Sequence, residues 1–320
     1  NMLNPAAPYL DNWHVAAIAR RLVQVRCGKI RRLIICLPPR SLKSIIASVA
    51  FPAWVLGREP WRKIVSITYS STLAAKYAND FRLVVGSPSY QRAFPSTRVS
   101  DHKDTEIETV FTAGGYRYSA STTGTITGRG GDIVVCDDPI KSQDVGSDVK
   151  REANNKLFRD TIASRLDDKK TGAIIVVMQR LHAGDFVGAL LESSNEWTVL
   201  NFPAIAERDE RIQIGDDEYY HRKAGEPLHA EREPLSLLHK IREEMGPDAW
   251  AAQYQQDPAP PGGVMIRKDW IRYHNITVPE RSHQHRIFQS WDTAGKTGPR
   301  NSFSVCTTSP KENNTYYLLD

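Results

Sequence analysis

Short apolar runs alternate with helically periodic segments up to about residue 202, the pattern of a parallel sheet covered by helices. An amphipathic helix is predicted over Trp13–Cys27, closed by Gly28. Leu33-Ile34-Ile35-Cys36-Leu37 reads as a strand buried on both faces, and after a Pro-Pro break Ser44–Leu56 reads as helix. Strand Ile64–Tyr69 and helix Thr72–Val85, ending at Gly86, follow. Glu108–Ser121, with Ala113-Gly114-Gly115 in its middle, is predicted to be a hairpin. Then come a buried strand at Ile133–Cys136, a long charged helix at Ser147–Ala163, a strand at Ala173–Met178, a short helix at Asp185–Leu191 and a closing strand at Trp197–Phe202.

From Pro203 the sequence turns charged and irregular, with helices only near Leu235–Met245 and Asp248–Gln255. Pro258-Ala259-Pro260-Pro261-Gly262-Gly263 is a linker by composition, because proline stiffens and glycine frees the chain. Beyond it Ile287–Trp291, Ser302–Thr308 and Thr315–Leu319 read as the opening meander of a second domain. The expected division is 1–202, 203–263 and 264–320. The chain stops on Tyr316-Tyr317-Leu318-Leu319-Asp320, an apolar run that reads as the middle of a strand, so the last domain is expected to be incomplete.

Composition changes this picture little. The 320 residues are 40% hydrophobic and 25% charged, which is ordinary globular usage and excludes disorder for most of the chain. The longest apolar stretch, Ala47–Leu56, is broken by Pro52 and too short for a membrane span, and no signal-peptide pattern is present, so a soluble, non-secreted protein is expected. Cys27, Cys36, Cys136 and Cys306 show no CxxC spacing and read as buried free thiols of a reducing compartment. A net charge of +5 permits a nucleic-acid partner without arguing for one.

Leu37-Pro38-Pro39-Arg40-Ser41-Leu42-Lys43-Ser44 lies between a buried strand and a helix, where a phosphate-binding loop belongs. Lys43 offers the cation for outer phosphates and Ser44 the hydroxyl for Mg²⁺, but the glycines of GxxxxGK[ST] fall on Leu37 and Leu42. An ordinary helix start with an exposed lysine fits the same residues. Downstream, Ile133–Cys136 delivers Asp137 and Asp138 at a strand end: one carboxylate to hold Mg²⁺ through water, the next to orient an attacking water. A simple Asp-Asp-Pro turn is the alternative. Thr127-Gly128-Arg129-Gly130-Gly131 presents an arginine between glycines, able to reach a γ-phosphate in its own subunit or a neighbour's, or to be a turn with a solvated charge. Met178-Gln179-Arg180-Leu181-His182 ends a buried strand with polar groups suited to sensing that phosphate, or simply to capping the strand end.

Taken together these segments resemble the large subunit of a tailed-phage or prophage terminase, the motor and nuclease that packages viral DNA. The resemblance runs in order through WHVAAIARRL, LPPRSLKS, TYSSTLAAKYANDFR, TGTITGRGGDIVVCDDPIKSQD, GAIIVVMQRLHAGD, EMGPDAWAAQYQQDP, QSWDTAGKTG and NSFSVCTT. It implies an α/β P-loop NTPase domain of the additional-strand, RecA-like type, a linker subdomain, and the first strands of an RNase H-like nuclease domain. By matching motif it implies that Lys43, Ser41 and Ser44, with Arg40, bind ATP and Mg²⁺; that Asp137 is the metal-side acid and Asp138 polarises the water; that Arg129 is an arginine finger between subunits; and that Arg180 and His182 belong to the coupling motif. Trp13 and His14 fall near the adenine-binding segment, although a packing aromatic fits Trp13 as well.

Asp292 matches the first metal carboxylate of the nuclease, whose complete site holds two divalent ions, Mg²⁺ or Mn²⁺. With the remaining acids absent, the chain is expected to hydrolyse ATP and not to cut DNA. The resemblance further implies double-stranded DNA held by its backbone, a portal protein and a small subunit as partners, a ring on the portal formed from solution monomers, and the host bacterial cytoplasm as location. Arg20, Arg21, Arg26, Lys29, Arg31 and Arg32 are candidate backbone contacts, or a solvated helix face. Another P-loop translocase or helicase, and a degenerate remnant that only docks, are the alternatives.

Overall fold

In the computed structural model, residues 3–4, 6, 8–124, 128–259, 286–292, 305–312 and 315–316 are described. They fall into two units, Asn1–Val264 and Met265–Asp320. In the first, helix α1 (Trp13–Arg26) is closed by Gly28 at φ +72°. Strand β1 (Arg32–Cys36) leads into a π-helical turn, Ile45–Ala50, continued by α2 (Phe51–Arg58). Next come β2 (Lys63–Thr68), α3 (Ser71–Val85) and α4 (Pro88–Ala93). An antiparallel excursion follows, β3 (Val99–Thr105), β4 (Glu108–Phe111) and β5 (Tyr116–Ser121). After β6 (Ile133–Asp137), α5 (Asp148–Leu157) runs on as a π turn and a 3₁₀ turn to Arg165. The unit then adds β7 (Ala173–Met178), α6 (Phe186–Ser193) and β8 (Thr198–Asn201).

These strands form one eight-stranded sheet in the order β3-β4-β5-β2-β6-β7-β1-β8. From β5 to β8 every pairing is parallel; β4 alone runs against its neighbours. Strand β7 lies between β1 and β6, so an additional strand separates the one that feeds the phosphate-loop candidate from the one that ends in Asp137. This is the expected additional-strand α/β architecture. Alternation within the central strands supplies two cores: Leu33, Ile35, Val135 and Ile175 pack under α1, α2 and α3, while Ile34, Val134, Ile174 and Val176 pack beneath Ile162, Phe186 and Leu190.

Differences from the sequence reading lie where apolar patterning is weak. Val99–Thr105 (VSDHKDT) is an edge strand with no apolar alternation. In the charged region a hairpin forms from β9 (Glu210–Gln213) and β10 (Tyr219–Arg222), followed by α7 (Leu235–Met245) and α8 (Pro247–Gln253). Ala204, Leu238 and Trp250 make a small separate core there. Cys36 and Cys136 are buried as expected, whereas Cys27 is exposed at the end of α1 and Cys306 is half-buried; all four are free. Among the described residues no helix is long and apolar enough to cross a membrane.

The second unit contains β11 (Arg286–Asp292), β12 (Val305–Glu312) and β13 (Thr315–Tyr316) in an antiparallel meander. Residues 260–263 of the linker, and the expected strand residues 302–304 and 317–319, lie outside the described residues.

Candidate functional site

Parallel strands place their C-terminal ends along one edge of the sheet, and both candidate motifs leave from that edge. Residues 37–44 follow β1. Arg40 and Leu42 take φ of +58° and +62°, the left-handed conformation that favours glycine. Leu42 thus keeps the backbone shape of the motif's second glycine, at a strain of about 1–2 kcal/mol. Neighbours hold the loop: Ile46 N donates to Leu42 O at 2.9 Å, Arg232 donates to Arg40 O, and His14 Nε2 lies 3.3 Å from Ser41 O. Ser41 and Lys43 are buried, in contrast to the exposed lysine of an ordinary helix start.

Asp137, the last residue of β6, is fully buried. Ser44 Oγ donates to its Oδ1 at 2.9 Å and Ser48 Oγ to its Oδ2 at 2.7 Å. Burial, followed by the adjacent Asp138 charge, pushes the Asp137 carboxyl up, while Ser48, Lys43 and Ser44 pull it back. Burial also raises Asp138, with Lys43 opposing. Asp138 sits at φ +45°, fixed by its N–H on Val177 O (2.8 Å) and by Tyr69 N–H on its carbonyl (3.2 Å).

A cavity of about 460 Å³ is lined by Pro39 to Ile45, Leu73, Lys76, Tyr77, Asp138 and Gln179. Burial and the Asp137 charge raise the Tyr77 phenol, which hydrogen-bonds Ser44. A second cavity of similar size shares Leu42, Ile45 and Lys76 and adds His14, Asp80, His229 and Arg232. A third, of about 440 Å³, shares Asp138 and Gln179 and adds Tyr69, Lys141 and Leu181. A hydroxyl and a carboxylate meeting at 2.9 Å are hard oxygen donors suited to Mg²⁺, which takes few protein ligands beside substrate phosphates. Among the described residues no cluster of three or more His, Cys, Asp or Glu forms a closed metal cage.

Several expected site residues stand elsewhere. Arg180 is turned to the buried Asp185, with Nε 3.0 Å from Oδ2, and Asp185 also accepts from the N–H groups of Leu181 (2.9 Å), His182 (3.3 Å) and Gly188 (2.9 Å). His182 Nδ1 accepts from Gly184 N at 3.0 Å, and burial followed by the Arg151 charge lowers its pKa. The motif is a turn built around Asp185, and it is Gln179 that lines the cavity. Trp13 stacks on Tyr220 (4.8 Å, 8°) and meets Phe202 edge-on (5.1 Å), which is packing rather than a base platform. His14 does line the second cavity.

Arg129 precedes β6 and so lies near the N-terminal end of a strand that runs about 13 Å from Ile133 to Asp137. It pairs with Glu108 at 2.9 Å and sits over Tyr116. In this structure Arg129 is thus engaged away from the phosphate loop that follows β1. Its glycines are structural: a Cβ on Gly130 would stand 1.9 Å from Asp167 Oδ1, and one on Gly131 2.9 Å from Lys63 O.

Of the basic cluster, Arg20 pairs with Asp216, Arg26 with Glu59, Arg21 donates to Gln24 and Arg32 to two carbonyls, while Lys29 and Arg31 are exposed. Asp292 ends β11 with its backbone opposite Val305. Sequence reasoning missed Ser48, Tyr77 and Asp185. Ser48 lies four positions after Ser44 in the helical segment, and Asp185 directly precedes an apolar helical run, so both carried a readable signal.

Among solved structures, the HK97 bacteriophage large terminase resembles this chain with a TM-score of 0.50 at 13% identity, over 98% of this chain and 64% of that one. The large terminase of a thermophilic bacteriophage, in complex with ADP, gives a TM-score of 0.43 at 12% identity, over 94% and 68%. No family model and no curated protein matches. The chain thus has the fold of a phage large terminase and spans about 64% of the HK97 protein's length.

Proposed function

We propose that this chain is the ATP-hydrolysing part of a viral DNA-packaging motor. The observation that carries the reading is the 2.9 Å hydrogen bond from Ser44 to Asp137, which joins a left-handed phosphate-type loop to an acidic strand end across 93 residues of sequence. Lys43 binds the outer phosphates from its buried position, and the loop's backbone N–H groups surround the anion. Ser44 and Asp137 would hold Mg²⁺, which would supply positive charge to offset that of the phosphates. Asp138 orients the attacking water and Gln179 reports the state of the terminal phosphate, since both line the same cavity. The second cavity, next to His14 and His229, takes the base.

Arg129, at the other end of its sheet, serves a neighbouring subunit in a ring on the portal. Double-stranded DNA, a portal protein and a small subunit are the partners in this reading, and Asp292 opens an RNase H-like nuclease domain that needs two divalent ions and further acids. Steady-state ATP hydrolysis by the wild type and by Lys43→Ala, each with and without double-stranded DNA, tests the motor: the wild type turns over and Lys43→Ala loses at least 100-fold, about 2.7 kcal/mol of transition-state stabilisation. Equal rates in the two proteins would refute it.

A further inference from the structure

Arg117, on β5, is 1% exposed and has no carboxylate partner at hydrogen-bond distance among the described residues. Its Nε and Nη2 donate to Ser48 O at 3.2 and 2.9 Å, and Nη1 donates to Ser119 Oγ at 2.5 Å. A buried guanidinium with no carboxylate in contact is expensive: burial, then the Arg82 charge, lowers its pKa to about 9, while the Asp137 and Asp80 charges oppose. The sequence explains the acceptor. In a regular helix Ser48 O would accept from the N–H four residues on, which is Pro52, and proline has none. The chain runs through Ile45–Ala50 as a π turn, and the buried Ser48 carbonyl takes its donors from Arg117. The hydroxyl of the same residue donates to Asp137 Oδ2 at 2.7 Å, while Oδ1 faces Ser44.

We propose that Arg117 is a positioning residue: by clamping the Ser48 carbonyl it holds the Ser48 hydroxyl on one oxygen of Asp137, so that the other oxygen is presented to the phosphate loop and its divalent cation. This rests on the proposed Mg·nucleotide site. Groups that orient a metal-binding carboxylate typically govern 10–100-fold in metal affinity.

The test uses Mn²⁺ uptake in the presence of ADP, followed by the loss of the free-ion paramagnetic resonance signal, on the full chain. Ser48→Ala keeps the carbonyl that Arg117 needs and removes only the hydroxyl, so the fold survives; it weakens Mn²⁺ binding about tenfold. Ser48→Thr, which retains a hydroxyl, restores it. Arg117→Lys supplies fewer donors and weakens binding severalfold, and the double variant Arg117→Lys/Ser48→Ala is no weaker than Ser48→Ala because both act through one hydroxyl. If Ser48→Ala or Arg117→Lys binds Mn·ADP within twofold of wild type, the positioning role is wrong while the nucleotide site stands. Additive losses in the double variant would also overturn it. If the wild type takes up no Mn²⁺ with ADP, the nucleotide-site reading itself falls.

Discussion

Leu42 offers the sharpest test of the loop. Its φ of +62° is strained for any residue with a Cβ, by about 1–2 kcal/mol. Leu42→Ala keeps that strain and loses the contacts of a half-buried side chain, about 1 kcal/mol. Leu42→Gly loses the same contacts and adds about 0.5–1 kcal/mol of chain entropy, but releases the strain. The glycine variant should therefore be more stable than the alanine variant by roughly 0.5–1 kcal/mol. At an ordinary helical position the order is reversed. Ala50, exposed and at φ −68°, is the internal control: Ala50→Gly should cost about 0.5–1 kcal/mol. Urea midpoints followed by tryptophan fluorescence, with equal slopes required for comparison, give all the differences. If Leu42→Gly is less stable than Leu42→Ala by the same amount as the control, residue 42 is not held in the left-handed conformation, and the loop does not keep a glycine-type shape.

Two other outcomes follow from the buried ionisable groups. Asp185→Ala strands the Arg180 guanidinium and removes the cap of α6, so it should destabilise by about 3–5 kcal/mol, visible as a large drop in Tm, whereas Asp185→Asn, which keeps an acceptor, costs less. An Asp185→Ala protein melting within a degree or two of wild type would sink that account. Burial, reinforced by His229, Arg232 and Arg222, lowers His14 to about 4 against an opposing hydrogen bond to Ser41 O. The unfolded chain therefore binds the proton more readily between about pH 6.5 and 4, and stability must fall as pH falls through that window. Relative to His14→Gln, the wild type should lose about 2 kcal/mol between pH 7 and 5 in urea unfolding, and parallel pH profiles for the two proteins would exclude a buried neutral His14.

The central strands were legible because residues such as Ile34, Val134 and Ile175 are buried on both sides of a parallel sheet, and such strands read as unbroken apolar runs. Strand β3 carries Asp101, His102, Lys103 and Asp104 on a sheet edge, where no apolar face is required, so its pairing had no trace in the pattern. Of the candidate site, Lys43, Ser44, Asp137 and Asp138 converge as their spacing between strand and helix predicts. Arg180 and Trp13 are packed against Asp185 and Tyr220, and Arg129 pairs with Glu108, neighbours that only the folded chain brings near.

Periodicity by itself therefore determined that this chain makes a parallel sheet and that Lys43 and Asp137 leave it along one edge, because burial on two faces leaves a local record in every strand. Tertiary structure alone decided that β7 separates those two strands, that Leu42 stands in for a glycine, and that Arg117 donates to the Ser48 carbonyl, whose α-helical donor position is Pro52. Hydrophobic burial is written residue by residue along the chain. The partner of a buried charge lies 69 positions away here, and only packing selects it.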